Sequence, residues 1–309
     1  MDLIVLAMGP LVWPHAERSA WVSPILDGAE AAAARGATVI ALSVGSCYPV
    51  LDWDLGEGDS AFVRDEELDL LRRVATVTRG RMTVRDRFMK QLAARVGVDA
   101  PLLPCVATYS TFEDEPLAGT EREQTFLINY MRAAGHHDYR NEVDAAFWRR
   151  QVVELIELER SSTNRETRFL CHAPIEQELA TLIAPDLAIE RVRGPEDLMR
   201  LARSTRVAVV NRVHAALGLA GGGVPSICVG TDTRALSASE VGAVVLPPSS
   251  ASAKSLAEWA GQLSQADVHA AVRSKVREGI EAHKQFVEEA ITGTSIASRP
   301  GSLIEEAAS

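Results

Sequence analysis

The sequence has few cysteines, no long apolar segment and no excess of positive charge, and each shortage argues against a class of protein. Its four cysteines lie in or beside apolar runs and form no Cys-x-x-Cys pair, which argues against disulfides and zinc and predicts buried free thiols. No apolar run reaches the roughly 18 residues that a membrane span requires. A net charge of −10 argues against nucleic-acid binding, because phosphate backbones attract clustered Lys and Arg.

Other signals are missing as well. The first residues, MDLIVLAMG, are too short and too acidic for a signal peptide, so the cytoplasm is the expected location. The pair His136-His137 has no carboxylate or third histidine at a ligand spacing, and GEGDS at 56–60 lacks the ending of a P-loop. We therefore expect neither a metal ion nor a cofactor, although an acidic protein can hold an anion in a locally basic pocket.

The sequence does contain short apolar segments that alternate with helix-like segments. Apolar strands of this kind predict parallel sheets covered on both faces, so the expected class is α/β, doubly wound, with two Rossmann-like lobes. The strand-like segments are DLIVLAMG, ATVIALSVG, RMTVRD and PLLPCVATY in the first part, and TFLINYM, TRFLCH, LAIERV, RVAVV and VPSICVG in the second.

Composition divides the chain into two lobes. The polar, acidic stretch 113–124 predicts a linker between an N-terminal lobe at 1–112 and a C-terminal lobe at 125–291 that includes the closing helices. Residues 292–309 are expected to form a loose tail. Two such lobes joined by one linker predict a ligand in the cleft between them.

One segment, NRVHAALGLAGGGVPSICVG at 211–230, carries chemical information. It follows the apolar strand RVAVV, so Arg212 and His214 are expected at the start of a helix beyond the carboxyl end of a strand, where ligands of open parallel sheets bind. Free backbone N–H groups there suit a phosphate, and Arg212 adds a cation whose fork fits phosphate or carboxylate. His214 adds a group that titrates near neutral pH. The alternative is that Arg212 forms an ion pair at the surface and that His214 is a buried residue of the core.

The same segment resembles the signature of the polysaccharide pyruvyl transferase family, which has the pattern [ST]-R-x-H-x-x-x-x-x-x-x-G-x-P-x-I. Upstream, RMTVRDRFMKQLAARVGVDAPLLPCVATYS resembles the family's strand–VRD–helix–G–PCPA passage. Asn211 stands where Ser or Thr is usual. The family's opening unit of the GNxGD type has no counterpart, so the N-terminal lobe is expected to be shortened. The resemblance implies the two-domain, GT-B-like architecture of glycosyltransferases.

The resemblance implies transfer of the pyruvyl group of phosphoenolpyruvate onto two hydroxyls of a sugar, giving a cyclic ketal and free phosphate. In that reaction His214 would be the acid that protonates the enol methylene, and Arg212 would bind phosphate. Arg85 of VRD would supply a second cation, and Arg234 of DTRA would take the carboxylate. Asn211 would belong to the substrate-binding set.

Further residues and functions stay open. His172 and Glu176, four apart across a strand–helix turn, either contact the acceptor sugar or form a local hydrogen bond. Asp86 is expected to cap the next helix rather than to act in catalysis. A nucleotide-sugar glycosyltransferase of the same architecture and a catalytically silent sugar-binding homologue are the alternative functions. The sequence does not indicate an oligomeric state.

Overall fold

The computed structural model describes residues 2–7, 9–14, 20, 22–49, 62–112, 125–132, 134 and 144–292. The predicted linker at 113–124, the pair His136-His137 and the tail beyond residue 292 lie outside these ranges. Two parallel sheets, each with helices, form two lobes. All four cysteines are buried as free thiols, as predicted.

The N-terminal lobe is built around one central strand, β3. Strand β3 pairs in parallel with the other three strands of this sheet. The lobe has its own apolar core, in which helices pack on the buried faces of the strands. Its elements are β1 (Leu3–Ala7), β2 (Pro10–Val12), α1 (Val22–Ala34), β3 (Thr38–Ser46), α2 (Asp69–Thr78), β4 (Met82–Val84) and α3 (Arg87–Arg95).

The C-terminal lobe contains six parallel strands with an apolar core on each face of the sheet. Its strands are β5 (Thr125–Asn129), β6 (Glu166–Cys171), β7 (Ala188–Arg191), β8 (Thr205–Val210), β9 (Ser226–Val229) and β10 (Val244–Leu246). They lie in the order β10-β9-β8-β5-β6-β7. The chain leaves β5 toward β6 and β7 and later returns through β8 on the other side. The crevice at the carboxyl ends of β5 and β8 is therefore a topological switch point, where ligands of such sheets bind.

The helices of this lobe follow the predicted order. They are α4 (Ala145–Ser162), α5 (Pro174–Ile183), α6 (Pro195–Ser204), α7 (Val213–Gly221), α8 (Ala253–Leu263) and α9 (Ala266–Thr292). Helix α7 is buried along almost its whole length, which explains its apolar sequence. No helix of the described residues is long and apolar enough to cross a membrane.

The predicted strand PLLPCVATY is wrong. Only Leu102 makes a bridge, to Val84, and a 3-10 helix follows at Val106–Thr111. Pro101 and Pro104 explain the difference, because proline offers no N–H to a sheet. Strand β10 and the 3-10 helix Thr233–Val241 were not predicted.

Hydrogen bonds join the lobes at the end of β3 and along α9. The hydroxyl of Ser46, at the end of β3, lies 2.8 Å from that of Thr233 in the C-terminal lobe. Helix α9, predicted to close the C-terminal lobe, also packs against the N-terminal lobe, where the His283 ring lies 2.8 Å from the Tyr109 hydroxyl and 3.4 Å from that of Thr83. The cleft between the lobes is therefore bounded by hydrogen bonds as well as by apolar packing.

Candidate functional site

A small cavity, partly open to solvent, lies at the carboxyl ends of the central strands of the C-terminal lobe. It adjoins the start of α7, where the free backbone N–H groups and the positive end of the helix dipole can bind an anion. Its lining residues come from three strand ends and are Met131, Asn211, Arg212, Val213, His214, Gly230, Thr231, Asp232, Arg234 and Ala235. Four of the seven predicted site residues thus line one cavity.

Two asparagines fix the backbone at the switch point. The Asn211 amide accepts from the N–H of Met131 at 2.8 Å and donates to the carbonyl of Val229 at 2.8 Å, so it ties β5, β8 and β9 together. Asn129, at the end of β5, accepts from the backbone N–H of Arg212 at 2.9 Å. Asn211 therefore lines the cavity while its side chain holds the framework.

Glu176 orients Arg212. Its side chain is only 2% exposed, and it accepts hydrogen bonds from the Nε of Arg212, from the backbone N–H of His172 at 2.7 Å and from the amide of Asn129 at 3.2 Å. The terminal nitrogens of Arg212 make no hydrogen bond with the described residues, and its side chain is 31% exposed. Glu176 thus holds one edge of the guanidinium and leaves the other edge for a ligand.

His172 lies beside this pair. Neither of its ring nitrogens has a hydrogen-bond partner among the described residues, and its Nδ1 lies 3.9 Å from the Glu176 carboxylate. Burial lowers the pKa of His172, and the charge of Glu176 opposes this effect while that of Arg212 adds to it. The local hydrogen bond, one of the two alternatives for this pair, is made by the backbone N–H of His172 rather than by its ring.

Arg85 approaches from the N-terminal lobe as a buried cation. It is 2% exposed, and among the described residues its Nε has no hydrogen-bond partner while its Nη1 contacts the Sγ of Cys105 at 3.8 Å. It forms no ion pair within the described part of the chain. Gly45 makes room for it, because a Cβ there would lie 2.2 Å from the Arg85 Nε. A guanidinium buried this deeply needs opposite charge nearby, which the neighbouring Asp86 supplies in part and a bound anion would complete.

The electrostatics of the cavity centre on His214. Its side chain reaches solvent through the cleft, yet the surrounding walls displace much of its water, and this desolvation is the main cause that lowers its pKa to about 4. The charges of Arg85 and Arg234 contribute next, followed by those of His172 and Arg212. At pH 7 the imidazole is therefore neutral, and the surrounding cations make the cavity attractive to an anion.

Arg234 is already paired. Its Nε and Nη2 donate to the two carboxylate oxygens of Asp232 at 2.8 and 2.6 Å, and Asp232 also accepts from the Arg234 backbone. A bidentate pair of this kind satisfies the fork that a substrate carboxylate was expected to use. Arg234 lines the cavity, but its strongest contact is to the protein.

Asp86 caps α3, as predicted, by accepting from the N–H of Met89 at 2.7 Å. It is fully buried, and this burial raises its pKa to about 6 against the opposing charge of Arg85. Its carboxylate also accepts from the hydroxyl of Ser46, the residue that meets Thr233 across the lobes. Asp86 therefore anchors the strand end that carries Arg85.

Three residues at the site were missed from the sequence: Asn129, Thr231 and Asp232. The Thr231 hydroxyl is buried at the cavity wall without a partner among the described residues. Asn129 is the last residue of a predicted strand. Its position at a strand end, where ligands of parallel sheets bind, was the signal that could have identified it. No group of three or more His, Cys, Asp or Glu in the described ranges could hold a metal ion.

No protein-family model matches the chain, and no curated protein sequence matches it. Solved structures do share its fold. A Listeria monocytogenes protein assigned as a UDP-N-acetylglucosamine 2-epimerase superposes with a TM-score of 0.56 at 14% identity, over 92% of this chain and 82% of that one. A second UDP-N-acetylglucosamine 2-epimerase gives 0.53 at 14% identity, over 98% and 75%. MnaA of S. aureus, solved with UDP, gives 0.52 at 11% identity, over 97% and 78%. The predicted two-lobed, GT-B-like α/β fold is confirmed.

Proposed function

We propose that the chain is a transferase that uses a nucleotide-diphosphate sugar as donor and a hydroxyl of a second sugar as acceptor. The observation that carries this proposal is the buried guanidinium of Arg85, which forms no ion pair with the described residues and which acts on His214 from the lobe opposite the start of α7. Cations of both lobes whose charges act on His214 suit an anionic leaving group held in the cleft. The fold shared with MnaA, which was solved with UDP, supports a nucleotide as the carrier of that group.

The charges suit the chemistry of glycosyl transfer. The acceptor oxygen attacks the anomeric carbon, the bond from that carbon to the diphosphate breaks, and its electron pair leaves with the nucleoside diphosphate. Arg212, the amides of α7 and Arg85 stabilise the charge that develops there. The acceptor proton needs a base, and a pKa of about 4 leaves His214 neutral and able to accept it at pH 7.

Pyruvyl transfer from phosphoenolpyruvate is the second candidate, and the Arg212-x-His214 segment at a helix start favours it. In that reaction His214 must carry the proton that the enol methylene receives. The low pKa of His214 in the free protein disfavours this role. The negative charges of bound phosphoenolpyruvate would raise that pKa, so the two reactions differ in the protonation state that they require.

Thermal unfolding with a panel of donors tests the proposal. We expect UDP-, GDP- or dTDP-sugars to raise the melting temperature, because a ligand that binds only the folded state stabilises it by mass action. Incubation with sugar acceptors should then release a nucleoside diphosphate. A shift with phosphoenolpyruvate alone, and a product heavier by one pyruvyl ketal, would instead establish pyruvyl transfer. Binding of sugars without consumption of either donor would indicate a silent homologue.

Substitution of His214 tests the assigned base. We expect His214→Gln to lower turnover by about 10²–10⁴, the usual contribution of acid–base catalysis, while the melting temperature barely changes. If the variant is less stable yet fully active, His214 is a structural residue and has no role in proton transfer.

A further inference from the structure

Three aromatic residues form a cluster in the N-terminal lobe, and one of them is exposed. Tyr48 and Phe88 are 2% and 1% exposed, whereas Phe62 is 59% exposed. The Phe62 ring stacks on Phe88 with 5.7 Å between centroids and a 30° angle between planes, and it meets the edge of Tyr48 at 5.5 Å. One face of the Phe62 ring is therefore backed by buried rings, and the ring still presents a large area to solvent.

The aromatic cluster borders the cleft. The backbone N–H of Tyr48 donates to the Thr233 hydroxyl at 3.1 Å, and the Thr233 N–H donates to the Tyr48 carbonyl at 2.9 Å. Pro49 bridges to Asp232, which lines the cavity. Phe88 lies in the first turn of α3, just after Arg85. The aromatic cluster is thus linked, through the backbone of Tyr48 and Pro49, to Asp232 in the wall of the cavity.

The surroundings of Phe62 suit an uncharged ligand. Arg64, two residues along the chain, pairs with Glu67 at 2.6 Å, and Glu67 also accepts from the Tyr48 hydroxyl at 2.9 Å. These contacts pair Arg64 and Glu67 with each other and leave the aromatic ring as an exposed apolar group. A rigid aromatic face loses little freedom when a ligand stacks on it.

We propose that Phe62 is the stacking platform for the sugar ring of the acceptor. The apolar C–H face of a pyranose would lie on the exposed face of Phe62, with its hydroxyls directed toward the donor cavity. This inference rests on the proposed function for the identity of the ligand, since it names the site where the acceptor of that transferase binds. The platform is formed by the N-terminal lobe, and the donor by contrast meets mainly the C-terminal lobe.

Kinetics with the full chain test the platform. We expect Phe62→Leu, which keeps the apolar contact with Phe88, to raise the acceptor KM by about twofold to tenfold, the range that stacking energies imply. Donor consumption by water, without an acceptor, should stay unchanged. Phe62→Tyr should restore the parent KM. Leu182→Ala, at a position 69% exposed in α5, serves as the matched surface control. An unchanged acceptor KM, or an increase in the donor KM instead, would overturn the platform.

A binding measurement separates this inference from the proposed function. Saturation-transfer NMR with methyl glycosides of glucose, galactose and mannose needs no donor, and we expect ring-proton signals with the parent that Phe62→Leu weakens and Leu182→Ala leaves unchanged. If the parent consumes no donor but this weakening is seen, the platform stands and the transferase proposal fails. If the parent is active and the signals of Phe62→Leu equal those of the parent, only the platform fails. Equal competition by octanol, which has no sugar ring, would assign the surface to an apolar chain and overturn the proposal.

Discussion

At the scale of single residues, the position of His214 has a consequence for proton uptake. Its pKa of about 4 lies below the ordinary value of 6.5, so the free protein leaves it unprotonated above pH 5. The diphosphate of a bound nucleotide sugar adds negative charge and raises this pKa, so the complex binds more protons than the free protein between the two pKa values. Affinity for the donor should therefore increase as the pH falls from 7 toward 5.

Calorimetry in two buffers of different ionisation enthalpy checks this proton uptake. A nucleotide sugar has no group of its own that titrates in this range, so the protons belong to the protein. We expect uptake at pH 5.5 with the parent and with His172→Gln, which removes the neighbouring imidazole, and no uptake with His214→Gln. Uptake that survives in His214→Gln would assign the titration to another group.

Arg85 predicts a conflict between stability and binding. Burial of a charged group costs folding free energy, and an apolar side chain of similar volume does not carry that cost. We expect Arg85→Met to raise the free energy of unfolding in urea and to weaken donor binding, because the cation is held for an anion. Arg206→Met, at a half-buried position of β8, is the comparison substitution. It should not combine a higher free energy of unfolding with weaker donor binding. A less stable Arg85→Met with unchanged affinity would mean that Arg85 serves the fold.

At the scale of elements, the close packing of α7 is set by glycine. A Cβ on Gly221 would lie 2.1 Å from the Thr111 hydroxyl and 2.3 Å from the Thr108 carbonyl, both in the 3-10 helix Val106–Thr111. We expect Gly221→Ala to lower the free energy of unfolding by about 1–3 kcal/mol through overpacking. Gly28→Ala is the matched control, since nothing lies within 4 Å of its Cβ and α1 continues through it.

The control substitution should act in the opposite direction. Alanine is a better helix former than glycine, so Gly28→Ala should stabilise the chain by about 0.5–1 kcal/mol. Denaturant unfolding of both variants measures the contrast. Equal effects of the two substitutions would show that α7 and the 3-10 helix can move apart to accept a methyl group without loss of stability.

The sequence predicted some of these elements and contacts and not others. The apolar runs before Arg85 and Arg212 predicted strand ends, and those ends do carry the two arginines, because a buried parallel strand and the helix start after it are local patterns. The short strand β10 was missed, since three half-buried residues give no period. The contact of Glu176 with Arg212 joins residues 36 apart in the chain, and no local pattern encodes a pairing of that kind.

At the scale of the whole molecule, Thr233 holds the lobes together. Its hydroxyl meets the Ser46 hydroxyl at 2.8 Å and accepts from the Tyr48 N–H at 3.1 Å, and both partners belong to the other lobe. Thr233→Val removes these bonds while it keeps the shape, and we expect a loss of about 1–3 kcal/mol from the polar groups left buried. Small-angle scattering should show a larger radius of gyration, and Thr233→Ser should restore both values. An unchanged radius would mean that the lobes are held by apolar contacts.

Helix α9 gives this molecule an order of assembly on the ribosome. This helix, residues 266–292, contacts Thr83 and Tyr109 through His283, which is synthesised 200 and 174 residues after them. Because synthesis runs from the N-terminus, the N-terminal lobe emerges first. Its surface around Thr83 and Tyr109 stays uncovered until α9 has been made. The lobe that begins to fold first is thus the last to be completed.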